Sequence, residues 1–220
     1  MGGHPSFKGK DRMMKPTEIL ESEHRVIETV LSCLEKMANL NEKNKKLDCG
    51  AAREMVEFFR MFADRFHHAK EEQHLFAVLE AHGMPREGGP TGVMIMEHEM
   101  GRDFVGKMET AVTAYERGEL AALKDFVKAA RAYISLLREH IQKEDHCLFS
   151  MVNENLSEEE QERLFKAFRA EESKIAKDQG PDFYLKKAQA LAARFQVAPC
   201  DPKPGASSSC GHHGSGACDG

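Results

Sequence analysis

Two segments of this chain carry one pattern. His67-His68-Ala69-Lys70-Glu71-Glu72-Gln73-His74-Leu75-Phe76 and His140-Ile141-Gln142-Lys143-Glu144-Asp145-His146-Cys147-Leu148-Phe149 align without a gap as His-x-x-Lys-Glu-acid-x-x-Leu-Phe. The shared core is a His and a Glu four apart. On an α-helix, residues i and i+4 lie on one face, one turn apart. An imidazole and a carboxylate stacked in that way could hold one transition-metal ion, and two such helices facing each other could hold two. The first copy offers two registers, His67–Glu71 and His68–Glu72. The second copy has His140–Glu144, with Ile141 where His68 stands. The alignment therefore favours His67 and Glu71, with His68 as the fallback.

The elements that must position these residues read as helices. One helix over about 17–39 places Leu20, His24, Ile27, Leu31, Leu34 and Ala38 on a single apolar stripe, and the polar Asn39–Lys46 segment ends it. A long helix over about 50–82 carries Phe58, Phe59, Phe62, Phe66, Leu75, Phe76 and Leu79, and Gly83-Met84-Pro85 stops it. A third, over about 91–117, sets His98 among Met94, Val105, Met108 and Val112. A fourth, over about 119–154, carries Tyr133, Leu137, His140, Ile141, Glu144, Leu148 and Met151 on its inner side. Ser157 and Glu160 have capping-box spacing and start a fifth helix, to about Lys177. Gly180-Pro181 breaks it before a last helix over about 182–195. No segment alternates like a strand. The expected fold is all-α: an up-down-up-down four-helix bundle with a C-terminal helical extension and a disordered tail. The expected boundaries are a disordered N-terminus over 1–15, the bundle over 16–156, the extension packed on it over 157–197, and a flexible Cys/His/Gly/Ser-rich tail over 198–220.

Each long helix contributes chemistry: His24, His67 with Glu71, His98, and His140 with Glu144. A single His on an apolar stripe is more often a hydrogen-bonded core residue than a ligand, and a lone His-x-x-x-Glu pair is as weak a signal. Four such imidazoles on four helices, two with matching carboxylates, are a different matter. An unpaired buried carboxylate costs several kcal/mol, and a pair of dications would offset two of them. Nitrogen and oxygen donors without thiolate favour iron, manganese or zinc over soft copper. Six side chains cannot saturate two octahedral ions, so positions would stay open for water, an oxo group, O2 or NO.

This set resembles the hemerythrin-like, HHE cation-binding family. The matching pieces are Glu23-His24, His67-x-x-x-Glu71-Glu72 running into Leu75-Phe76, Glu97-His98-Glu99, and His140-Ile141-x-x-Glu144 running into Leu148-Phe149. The resemblance covers about 17–154. It implies a four-helix bundle around two non-haem iron ions, with manganese or zinc as alternatives. His24, His67, His98 and His140 would be terminal ligands, and Glu71 and Glu144 bridges. Oxygen-carrying members have a His-x-x-x-His pair on the third helix, whereas here His98 is followed four residues on by Arg102. The fifth histidine is thus absent from its usual place, which argues against plain O2 transport. The pattern is closer to di-iron proteins tied to nitrosative stress and iron–sulfur cluster repair, although the N-terminal cysteine-bearing domain of those proteins has no counterpart here. The expected function is binding of O2 or NO for sensing, storage or stress protection. Reduction of peroxide or NO, donation of iron to damaged clusters, and a zinc-stabilised structural bundle are the alternatives.

The remaining composition excludes more than it assigns. The chain has 220 residues, is 41% apolar and 30% charged, and carries a net charge of −5 without a basic block. Nucleic acid therefore has no electrostatic footprint to meet. No apolar run approaches the roughly 18 residues of a membrane span, and the polar N-terminus lacks a secretion signal's apolar core. A cytoplasmic protein with reduced thiols is expected. His74 and His146 read as solvated, His82 as a residue of a helix C-terminus, and Tyr133, Met94, Met96, Met100 and Met108 as packing. Cys200, Cys210, His212, His213 and Cys218 are soft donors in the tail, at a spacing that matches no compact zinc site.

Overall fold

The computed structural model describes residues 14–175 and 180–200. Among them are six helices and no strand. Helix α1 is Pro16–Asn44, α2 spans 49–81, α3 is Pro90–Glu116, α4 spans 122–155, α5 is Glu158–Ile175 and α6 is Pro181–Phe195. Helices α2 and α4 are continuous but not uniform. Their backbone hydrogen bonding widens to π turns at Phe59–His68 and Glu71–Leu75 in α2, and at Glu144–Leu148 in α4. Such turns interrupt α-helices mostly as local bulges, often at functional sites. The last two occupy equivalent places in the two copies of the repeat.

The helix starts follow from local chemistry. Pro16 takes the first position of α1, and the Lys15 backbone N–H donates to the Glu18 carboxylate at 2.8 Å. Asp48 caps α2 by accepting from the Ala51 N–H at 3.1 Å. Before α5 the Ser157 N–H donates to Glu160 at 2.9 Å, while the Glu160 N–H reaches the Ser157 hydroxyl at 3.4 Å. Helix α1 continues to Asn44, past the end expected near residue 39. Its polar last turns hold neither Gly nor Pro, Asn41 is buried, and the stop comes at Lys45, whose φ of 54° is left-handed.

Neighbouring helices run antiparallel, as their cross-links show. Helix α1 meets α4 through Thr17–Asn153, Arg25–Asp145 and Glu35–Arg138. Helix α2 meets α3 through Arg53–Glu116, Arg60–Glu109 and Asp64–Arg102. Helix α3 packs along α4, and α6 lies on α1. Two apolar clusters fill the interior. The larger contains Phe58, Phe59, Phe62, Phe66, Tyr133 and Leu137, and α6 adds Tyr184 and Leu191. The smaller contains Leu20, Leu75, Phe76, Leu148, Phe149 and, from α5, Leu164 and Phe168. The histidines and acids of the repeat belong to neither cluster. Met94 and Met108 are buried as expected, but Met96 and Met100 are exposed and fill no core.

Among the described residues no helix is long and apolar enough to cross a membrane. Cys200 is buried, and its backbone N–H donates to the Thr29 hydroxyl at 3.0 Å. The other tail donors, Cys210, His212, His213 and Cys218, lie outside the described residues, as do residues 1–13.

Candidate metal centre

His24, His67, Glu71 and Glu144 form one buried group, and His68, Glu71, His98 and His140 a second. Within each group, candidate ligand atoms lie within 4.8 Å of one another, and Glu71 belongs to both. All six residues singled out in the sequence are brought together. His68 joins them as a seventh, beside His67 and not in place of it. The ten-residue π stretch Phe59–His68 is the local reason. A π turn advances less per residue than an α turn, so two consecutive side chains can share the inner face.

Four imidazoles share one construction. The Nδ1 of His24 donates to Asp145 at 2.7 Å, that of His67 to Glu23 at 2.8 Å, that of His98 to Glu72 at 2.7 Å and that of His140 to Glu97 at 2.9 Å. Each acid is held in turn by a cation: Arg25 on Asp145, Lys70 on Glu23, Arg102 on Glu72 and Lys143 on Glu97. The acids pass round the helices in one sense, with α4 serving α1, α1 serving α2, α2 serving α3 and α3 serving α4. Phe149 of α4 stacks on His24 and Phe76 of α2 stacks on His98. The fixed positions of the repeat thus divide the work. The His and the central Glu face the cluster, and the Lys holds an acid. The second acid orients the His of a neighbouring helix, and the Phe packs behind that same His.

A proton on Nδ1 leaves the Nε2 lone pair pointing inward. Those lone pairs converge: His24 Nε2 lies 3.0 Å from His67 Nε2, and His98 Nε2 lies 3.1 Å from His140 Nε2. The carboxylates complete the cluster, with His24–Glu144 at 3.2 Å, His140–Glu144 and His67–Glu71 at 3.3 Å, and His98–Glu71 at 3.6 Å. Neither oxygen of Glu71 or of Glu144 has a hydrogen-bond partner among the described residues. Four buried carboxylate oxygens facing four converging Nε2 atoms are the donor set of a cation, and without one only protons on the imidazoles can offset their charge. Metal ions fit these residues.

The electrostatics agree. Burial opposes charge on His24, yet Asp145 and Glu144 outweigh it and raise the imidazole to about 10. Burial likewise opposes charge on His140, and Glu144 foremost raises it to about 9. Burial also works against Glu144, but His140 and His24 hold it well below the usual carboxylate range. His98 goes the other way, pushed well below 6.5 by burial and by the neighbouring His68 and His140. Without a metal, protons on His24 and His140 supply the positive charge that the acids demand.

His68 is built differently. Its ring lies parallel to that of His98, with centroids 3.7 Å apart and planes 12° apart. Its Nδ1 is 3.6 Å from Asp64, too far for a hydrogen bond, and neither ring nitrogen has a hydrogen-bond partner among the described residues. Arg102, which stands where a second histidine of α3 was sought, pairs with Asp64 at 2.8 Å and with Glu72 at 2.7 Å.

The two halves also differ in cover. Lys70 is fully buried beneath α5, where Glu172 lies 3.3 Å from its Nζ and Phe168 packs close by. Its counterpart Lys143 is 42% exposed. Of the residues given lesser weight, His74 lies 3.5 Å from Glu171, His82 pairs with Glu160 at 2.8 Å, His146 is exposed, and Tyr133 packs edge-on against Phe59.

Helices carrying a buried, acid-backed cluster of histidines and glutamates define a cation-binding protein. The model of the Hemerythrin HHE cation binding domain matches residues 15–152, so the chain belongs to that family. It is also 25% identical over 155 residues to an uncharacterised protein of Mycobacterium bovis and to uncharacterised proteins of two strains of Mycobacterium tuberculosis. The match covers 70% of this chain and about 60% of the length of those relatives. No solved structure matches.

Proposed function

We propose that the four long helices form an up-down-up-down bundle around two non-haem iron ions, and that the centre binds O2 or NO for sensing, storage or protection against oxidative and nitrosative stress. His24 and His67 would hold one ion, His98 and His140 the other, and Glu71 and Glu144 would serve both. The observation that carries this reading is the pair of carboxylates Glu71 and Glu144, at zero side-chain exposure and outside any fixed hydrogen bond, among four Nε2 atoms that converge on them. When bound, the iron pair supplies redox-active positions for a small ligand. The chain's own residues do the rest. Asp145, Glu23, Glu72 and Glu97 keep the Nδ1 protons in place and so fix which nitrogen faces inward. The two apolar clusters exclude water on either side. The donor set also admits manganese or zinc. The reading is of a cytoplasmic, gas-binding protein.

One further observation supports oxygen carriage. Arg102 does not leave the cluster with four imidazoles, because α2 brings His68 to it. The histidine count therefore no longer speaks against reversible O2 binding. Anaerobic loading with Fe(II), metal analysis, and exposure to O2 and NO with optical and Mössbauer spectra test the reading. Two irons per chain with ligand-dependent spectra are expected. Zinc alone in protein from its native host would overturn it, and multiple turnover of peroxide or NO would make it an enzyme.

A further inference from the structure

His68 is the one histidine of the cluster that no carboxylate fixes at hydrogen-bond distance, and it stands at the edge of a cavity. The space is about 90 Å³, lies between α2, α3 and α4, and is walled by His68, Phe59, Gly101, Val105, Gly106 and Tyr133, with the Asp64–Arg102 pair also lining it. That volume is far below the several hundred Å³ of a pocket for an organic ligand, yet ample for a molecule of two or three atoms. The walls are mostly apolar, which suits an uncharged guest.

The pose of the ring matters as much as its place. An imidazole lone pair lies in the ring plane. His68 and His98 have nearly parallel planes with centroids 3.7 Å apart, so both cannot direct a lone pair at the same ion. His68 must rotate to become a donor. Stacked, it leaves its position to another ligand, and its Nδ1 stays 3.6 Å from Asp64.

Resting on the metal reading above, we propose that His68 is a conditional donor: rotated inward it is the fifth imidazole of the loaded resting centre, and stacked on His98 it yields that position to a small uncharged molecule arriving through the adjoining cavity. The exchange replaces one neutral donor with another and moves no proton or electron. The four acid-backed histidines hold the metals throughout, and only the unfastened one moves.

Two variants and two probes test this on the full chain. Gly106 lines the cavity and a Cβ there would meet nothing within 4 Å, so Gly106→Leu adds bulk at the cavity wall from a tolerant helical position. In metal-free wild type, xenon under pressure is expected in this cavity, and Gly106→Leu is expected to abolish that site. In iron-loaded protein, Gly106→Leu should retain two metals and take up nitric oxide more slowly. His68→Ala should also retain two metals and bind nitric oxide about tenfold or more tightly, because the competing donor no longer holds the binding-competent state to a minor population. A His68→Ala protein that keeps only one metal, or unchanged nitric oxide affinity in that variant, overturns the conditional role. No xenon in the metal-free wild type overturns the cavity. Wild type that loads no metal refutes the di-iron reading itself, and metal analysis alone reports that.

Discussion

Lys70 and Lys143 occupy the same position of the repeat, yet the structure assigns them very different energies. Lys70 has no exposed side-chain surface and sits between Glu23 and Glu172, each only 7% exposed, with its Nζ 4.1 Å from the centre of the Phe66 ring. Lys70→Met keeps the volume and apolar stem but takes the ammonium from two buried carboxylates, leaving Glu23 only His67 and Glu172 only the mostly exposed Arg169. Breaking a buried pair from one side costs about 3–5 kcal/mol. Lys143→Met leaves Glu97 at 10% exposure, next to solvent that already reaches 42% of Lys143. Water can replace that ammonium, and the expected cost is about 0–1 kcal/mol. Urea unfolding of the metal-free proteins, followed by far-UV circular dichroism, measures both. With a slope of about 2 kcal/mol/M, Lys70→Met should lower the midpoint by about 2 M and Lys143→Met by less than about 0.5 M. Adding Glu172→Gln to Lys70→Met should recover part of the loss, because a neutral amide replaces a buried carboxylate that keeps only Arg169. Equal costs for the two lysines, or a cost below about 1 kcal/mol for Lys70→Met, would refute the assignment of α5 as a buried clamp on this half of the site.

Four further outcomes are expected. Glu71→Ala and Glu144→Ala should each sharply reduce two-metal occupancy; two irons per chain in both variants would sink the bridging roles. Metal affinity should rise with pH. His24 and His140 hold protons to about 10 and about 9 in the metal-free protein, and each displaced proton adds up to about tenfold per pH unit below those values. The same raised imidazoles stabilise the metal-free fold below about pH 6.5, and that contribution is lost as pH climbs through 9 and 10, so its melting temperature should fall there while that of loaded protein holds. Asp145→Asn, which weakens the brace on His24, should lower metal affinity by about 10–100-fold with little change in helix content; unchanged affinity would remove the acid from the site.

The repeat makes much of the centre legible. His67, Glu71, His140 and Glu144 follow from two aligned segments, and His24 and His98 from their apolar stripes. His68 is not legible as an addition, because consecutive residues on an ideal α-helix point to different sides, and the π stretch that turns both inward has no sequence signature. Lys70, Lys143, Glu72 and Asp145 are visible as constants of the pattern, but what they hold lies on neighbouring helices and needs the packing to be read. The end of α1 falls later than expected because a polar surface resembles a loop when its buried Asn41 cannot be seen. Met96 and Met100 depart from expectation for the same reason: methionine is apolar, but α3 turns these two outward.

The sense in which the acids circulate has a consequence for how such a centre can be assembled. Helices α1 and α2 form one hairpin, α3 and α4 another, and each hairpin brings a Glu-His pair followed by one copy of the repeat. Within a hairpin one brace is internal, Glu23 to His67 or Glu97 to His140. The other brace must come from outside, since His24 depends on Asp145 and His98 on Glu72. A lone hairpin therefore carries every kind of component and still leaves its Glu-His histidine unsupported. The smallest object that closes the circuit is two hairpins face to face, whether joined in one chain, as here, or contributed by separate chains.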